Sequence, residues 1–286
     1  MEAESHLFGD TKARLNRILE ENPTVDMLKE LPPEMQMYVA VQLRYPDVLR
    51  FCATSTEAKR VCSTDYFWKL KIEHDFPKKA VGTEGKRREM YNKHWQDAQE
   101  KILECARLGH LKCIESSIQL GIDLNFQTKK GETDLMTPGT ALMGAAGWGH
   151  ADIVQMLLEH GADPNIKNSK GFTALMYPSV DGDADMVRLL LEHNANPNLR
   201  NQYGEAALYL ATEERGTDVV RLLLEHNADP DLQTLHEWTA IMEASRYGQT
   251  EIVRLLLNAD ADPQGALYYA SRHGHADIVA LLSDKS

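Results

Sequence analysis

The stretch DVVRLLLEHNADPD, residues 218–231, decides how this chain is built. Val219, Val220, Leu222, Leu223 and Leu224 form an apolar stripe at helical spacing, with Arg221 and Glu225 on the wet side. Asn227 follows, a residue type that tolerates the left-handed conformation ending a helix, and Asp-Pro then forces an extended exit. The same design recurs in DIVQMLLEHGADPN (152–165), DMVRLLLEHNANPN (185–198) and EIVRLLLNADADP (251–263). Pro164, Pro197, Pro230 and Pro263 stand 33 residues apart. Gly121, Gly161, Asn194 and Asp260 take the place of Asn227 in the other units. Each unit is therefore one helix of a pair, too small to bury its stripe alone, and stacking of neighbours is what completes the core.

A second, shorter helix precedes each stripe, in TALMGAAGWG (140–149), AALYLATEERG (206–216) and TAIMEASRYG (239–248). Small residues such as Ala145, Ala211 and Ala244 let the paired helices approach closely. The period and these contents resemble the ankyrin family, with Ala141, Ala174, Ala207 and Ala240 where that family's signature has proline. Pro178, inside the second of these helices, predicts a local distortion, because it removes an intrahelical hydrogen bond. The array runs over residues 98–286 in about six units: a degenerate one at 102–125, a longer connection at 127–139, four regular units and a short polar cap.

In front of the array stands LPPEMQMYVAVQLRYPDVLRFCATSTEAKRVCSTDYFWKLKIEHDFP, residues 31–77. Pro32 and Pro33 sit at a helix start and Glu34 complements its dipole. Pro46 opens a second helix, Ser55 is placed to cap a third ending near Val61, and Tyr66, Phe67, Trp68, Leu70 and Ile72 make an aromatic-rich one. This layout resembles an F-box, through Leu31, Pro32, Glu34, Leu43, Pro46, Leu49, Lys59, Arg60 and Trp68. It departs from the pattern at Ala40 and Ala58, where that family carries large aromatic anchors. The resemblance implies docking of the Skp adaptor of a cullin–RING ubiquitin ligase through Leu31, Pro32, Pro33, Glu34, Val39, Leu43, Pro46 and Leu49. The fold expected is all-α, with a helical lead at 1–29, an F-box-like module at 30–76, a linker and helix at 77–97 carrying Met90, Tyr91 and Trp95, and the ankyrin solenoid at 98–286. F-box and ankyrin modules on one short chain resemble proteins of large DNA viruses and intracellular bacteria that redirect host ubiquitylation.

The net charge of −12 is not shared evenly: residues 1–100 balance at −1 and the remainder at −11. An acidic array repels phosphate backbones and favours a basic partner over nucleic acid. The expected client surface combines Trp148, Phe172, Tyr203, Trp238, Arg246 and Tyr247 with Glu213 and Glu214, which suits a protein with basic and apolar residues. No apolar run is long enough to span a membrane. The chain is expected in the cytoplasm, or in the host cytoplasm or nucleus if viral or bacterial, as a monomer outside its complex.

Cys52, Cys62, Cys105 and Cys113 match neither a disulfide framework nor a metal-ligand spacing, and read as small buried apolar residues. The acids of DGDAD (181–185) mimic a calcium loop but carry Met186 where the loop needs glycine. His160, His193 and His226 repeat with the array and fall about one helix spacing apart, too far to share a metal. His110, His150 and His275 follow glycine in a structural Gly-His pair. With no phosphate loop, nucleophile elbow or catalytic set, neither enzyme activity, metal nor cofactor is expected. The reading is a ligase receptor, against the alternative of a non-catalytic scaffold or competitive inhibitor whose N-terminal helices only cap the array.

Overall fold

The computed structural model describes residues 37, 40–41, 43–54, 56–127 and 139–283. Among the described residues fifteen helices are delimited and no strand occurs. Two compact units divide the chain, residues 1–98 with 119–121, and residues 99–118 with 122–286.

In the first unit α1 (Tyr45–Thr54), α2 (Thr56–Ser63) and α3 (Asp65–Asp75) follow one another with almost no connecting chain. Thr64 caps α3, its hydroxyl accepting from the Phe67 amide, and the Trp68 indole donates to the Cys62 carbonyl. Val48, Phe51, Phe67, Trp68, Ile72, Tyr91 and Trp95 form the core, and Met90 is half-buried beside it. Ala40 and Ala58 are both fully buried.

The centre of this unit is polar. Lys71 is only 1% exposed. Its ammonium donates to the carbonyls of Val41 (2.9 Å) and Leu43 (2.6 Å) and to Asp75. Residues 40 and 41 are helical, so Lys71 supplies the cation that helix-end carbonyls attract. Burial pushes the Lys71 amine below its ordinary value, and the Asp75 carboxylate opposes that push. Asp75 also accepts from the Tyr91 hydroxyl at 2.6 Å, which ties α3 to α4 (Arg87–Arg107). Asp65 accepts from both the backbone amide and the guanidinium of Arg87, capping the start of α4. Ser55, the expected cap of the helix before, lies outside the described residues.

The second unit stacks helix pairs: the last turns of α4 with α5 (Leu111–Leu120), then α6 (Ala141–Gly147) with α7 (Ala151–Glu159) and α8 (Met176–Asp181) with α9 (Ala184–Glu192). Next come α10 (Ala207–Glu213) with α11 (Thr217–Glu225), α12 (Ala240–Arg246) with α13 (Thr250–Asn258), and α14 (Ala266–His273) with α15 (Ala276–Ser283). The predicted stripe is buried in every regular unit; in α11 it is Val219, Val220, Leu222 and Leu223, with Leu224 half-buried. Backbone amides of one turn bond to the side chain of the turn before. Asp163 donates to Asn125, Asn196 to Asn165, Asp229 to Asn198 and Asp262 to Asp231, all within 2.7–2.9 Å.

The left-handed stop after each outer helix is found where the sequence puts it, at Gly121, Gly161, Asn194, Asn227 and Asp260. The local distortion expected at Pro178 takes the form of a late helix start and not of a lost intrahelical bond. α8 starts two residues later than the register of α6, α10 and α12, so Pro178 falls in its first turn, where a missing amide leaves no bond unmade. Asp183 is the N-cap of α9, accepting from the Met186 amide, which explains the acids of DGDAD. His160, His193 and His226 each donate from Nδ1 to a carbonyl four residues back.

The cysteines correct the sequence reading. Cys52 is disulfide-bonded to Cys62 and Cys105 to Cys113. Each pair faces across a short helix–turn–helix, with α-carbons 5.8 and 6.1 Å apart, a proximity that belongs to packing and not to a spacing motif.

Two further left-handed positions recur along the array, and at each the pattern of glycine is broken once. Arg215 (φ 63°) stands in register with Gly149, Gly182 and Gly248, and Glu237 (φ 61°) with Gly171 and Gly204. A side chain there costs about 1–2 kcal/mol. Arg215→Gly is therefore expected to raise the unfolding free energy of the array by about 1 kcal/mol. Gly204→Ala is expected to lower it by more than about 1 kcal/mol, because its added Cβ would lie 2.7 Å from the Leu235 amide. Urea denaturation of the full chain followed by circular dichroism checks both.

Candidate client-binding face of the repeat array

The inner helices α6, α8, α10 and α12 end on one register line, and small buried residues position those ends. Trp148, Asp181, Glu214 and Tyr247 occupy equivalent places along it. Trp148 is 49% exposed, with the Arg107 guanidinium 5.9 Å over its ring. Tyr247 is 46% exposed. Arg246 lies 5.5 Å from the Trp238 ring and 5.1 Å from the Tyr247 ring, a cation held by two aromatics.

The tip residues differ from one another. Tyr203 is exposed, while Phe172 and Trp238 are half-buried. Phe172 rests on Tyr177 at 5.6 Å and Trp238 on Tyr269 at 4.6 Å. Each thus presents part of its ring from a packed base, which holds an aromatic anchor in one orientation.

Between the aromatics lies an acidic patch larger than the exposed Glu213 and Glu214. Glu243 is 4% exposed and faces the Tyr209 phenol, which moderates the rise in its carboxyl. Burial raises its carboxyl above the ordinary range; Arg246 pulls it down and Glu213 pushes it up further. Glu213 is raised by burial and by its neighbours Glu205 and Glu214, and Asp181 by burial, Asp183 and Glu214. The Tyr209 phenol, surrounded by Glu243, Glu213 and Glu205, is pushed well above its usual value, burial being the largest cause. These groups raise one another because like charges crowd a partly desolvated surface, and a cationic ligand relieves that repulsion.

Sequence reading missed Glu205, Tyr209 and Glu243. The signal for Glu243 was present, since it holds the register of Gly144, Tyr177 and Leu210 on a helix face that is otherwise uncharged.

On the expected adaptor face, Leu31, Pro32, Pro33, Glu34 and Val39 lie outside the described residues. Leu43 is half-buried with its carbonyl on Lys71, Pro46 lies in the first turn of α1, and Leu49 is 43% exposed on the same helix. Among the described residues no group of three or more His, Cys, Asp or Glu is placed to hold a metal ion. No described helix is long and apolar enough to cross a membrane.

Comparison with known proteins agrees with this architecture. A family model described as ankyrin repeats (3 copies) matches residues 102–201, 142–234, 180–265 and 208–286. The chain belongs to the ankyrin-repeat family, and its array is a protein-interaction surface. No curated protein matches the chain.

Glu243 has a testable electrostatic consequence. Its folded-state value is raised, so the folded protein binds that proton more tightly than the unfolded chain does. The stability cost of ionising it is absent below the ordinary carboxylic range and fully present above its raised folded value. Glu243→Gln is expected to raise Tm at neutral pH, and the difference from wild type should vanish as the pH falls to about 4. Thermal unfolding across that range measures it.

Proposed function

We propose that this chain is the substrate receptor of a Skp–cullin–RING ubiquitin ligase, its N-terminal unit docking the Skp adaptor and its array recruiting the client. The observation that carries the reading is the ungapped pattern Leu31, Pro32, Glu34, Leu43, Pro46, Leu49, Lys59, Arg60 and Trp68 in front of a protein-binding array. Three consecutive helices over 45–75 and the exposed side chain of Leu49 on α1 support it. In this reading Leu31, Pro32, Pro33, Glu34, Val39, Leu43, Pro46 and Leu49 meet the adaptor. Trp148, Phe172, Tyr203, Trp238, Arg246 and Tyr247 grip apolar and aromatic parts of the client, and Glu213 and Glu214 meet its basic residues.

The full chain is expected to co-purify with a Skp adaptor in equal stoichiometry, and Leu31→Ala with Pro32→Ala to abolish this. Failure of the wild-type chain to bind favours the second reading, a non-catalytic scaffold or competitive inhibitor with a helical cap. The specific observation behind that alternative is Ala40 and Ala58, fully buried where the F-box pattern has large anchors.

The client face is tested apart from the adaptor. Proteins whose ubiquitylation rises with the wild-type chain should lose that rise with Trp148→Ala plus Trp238→Ala, while the adaptor stays bound. The expected loss of client affinity is about tenfold or more, as for aromatic hot spots, and quantitative mass spectrometry of ubiquitylated peptides reads it. An unchanged rise removes the client face from the proposal.

A further inference from the structure

Successive tips of the array interlock, and the last one has no successor. The Gln202 amide donates to the Lys170 carbonyl and the Leu235 amide to the Tyr203 carbonyl, both at 2.9 Å. Basic side chains reinforce the contact: Lys167 Nζ donates to the Arg200 carbonyl, and Arg200 Nη2 to the Gln233 carbonyl at 2.6 Å. The next acceptor in this series, the His236 carbonyl, has no hydrogen bond among the described residues. No further tip follows, because Gln264 and Gly265 lead from Pro263 straight into α14. A cavity of about 410 Å³ lies there, lined by Asp231, Gln233, Glu237, Thr239, Asp262 and Gln264, with Met242 also in its wall.

The residues around this cavity differ from those of the preceding tips in one direction. Asp231, Gln233 and Glu237 hold the places of Asn165, Lys167 and Gly171, and of Asn198, Arg200 and Gly204. Formal charge over these three places changes from one positive to two negative. Asn165 and Asn198 donate onward to the carbonyls of Asn194 and Asn227, which a carboxylate at Asp231 cannot do. Asp231 and Asp262 each use one oxygen, Oδ1, on a backbone amide, so each keeps a second. Glu237 holds its acid at a left-handed position that glycine would occupy without strain.

An independent observation comes from Thr239. It is 5% exposed, and its hydroxyl has no hydrogen-bond partner. The equivalent hydroxyl of Thr140 caps its helix by accepting from the Met143 amide. Thr239 lines the cavity, and its hydroxyl holds no partner that an incoming donor would have to displace.

The chemistry of the ligand follows from the wall. These carboxylates are not grouped to hold a metal ion. The volume is at the lower end of that of small-molecule sites and suits an organic cation. A guanidinium presents five donors in a planar fork, enough to meet separated carboxylates, a hydroxyl and a backbone carbonyl. Arg200 already does this within the array, bonding to the Gly204 carbonyl through Nε and to the Gln233 carbonyl through Nη2. The geometry points to a receptor site for an arginine side chain, on an extended segment of a partner protein that takes the place of the missing tip. This goes beyond the ligase reading and does not depend on it, since it requires only that the array bind a protein.

The test is a titration of the isotopically labelled full chain with the blocked tripeptide Gly-Arg-Gly, followed by amide chemical shifts. Saturable shifts at Gln233, Thr239 and Gln264 are expected at millimolar peptide. Asp231→Asn with Glu237→Gly restores the residues of the preceding tips, so the variant keeps its fold, and it should bind about tenfold more weakly or worse. The citrulline tripeptide should not bind at all. The inference is overturned by an absence of saturable shifts up to about 20 mM peptide. It is equally overturned if the variant binds as wild type does, or if the citrulline or lysine tripeptide matches the arginine one.

Discussion

No helix pair in this array can cover its own apolar stripe. Val219, Val220, Leu222 and Leu223 are buried only because α11 lies between neighbours that carry the same stripe. Several other features of the second unit serve that stacking. Asn227 and its equivalents end each outer helix sharply, and the row from Asn125 to Asp231 bonds each turn to the next. Small residues such as Ala145 and Ala244 let inner helices close up. Stability of this kind passes from neighbour to neighbour, so each unit is free to vary wherever it does not touch another.

That freedom is where the chemistry collects. The ends of the inner helices are outside the stacking core, and there Trp148, Asp181, Glu214 and Tyr247 replace one another at equivalent places. The carboxylates of Glu213 and Glu243 are raised by burial and by crowding, a state that costs stability and favours a cationic partner. Left-handed Arg215 adds local strain at the end of α10, and left-handed Glu237 adds it at a tip. Array stability thus rests on residues other than those that vary at these ends.

The first unit solves a different problem. Its helices are short, and a small aromatic core is joined by a polar centre in which Lys71 meets two helix-end carbonyls and Asp75. Each partner is satisfied by the others, which is the condition for burying a charge. Asp75 extends the network to Tyr91, so the loop between α3 and α4 is fixed at both ends by hydrogen bonds.

Sequence alone determined the array. A 33-residue period, the apolar stripe, the left-handed stops and a distortion at Pro178 are local consequences of residue type, legible without coordinates. It also supplied the aromatic and acidic residues at the inner-helix ends. Only the tertiary structure decided which of them meet. Tyr209 and Glu243 come from successive units and shift one another's ionisation, and the unfilled place beside Asp231 and Glu237 exists because a tip that should follow is missing. Cys52 and Cys62 escaped the sequence reading for the same reason: neighbouring helices brought them together, and proximity across a turn has no spacing signature. Periodicity is written along the chain, whereas contact between side chains is set by the stacking that periodicity produces.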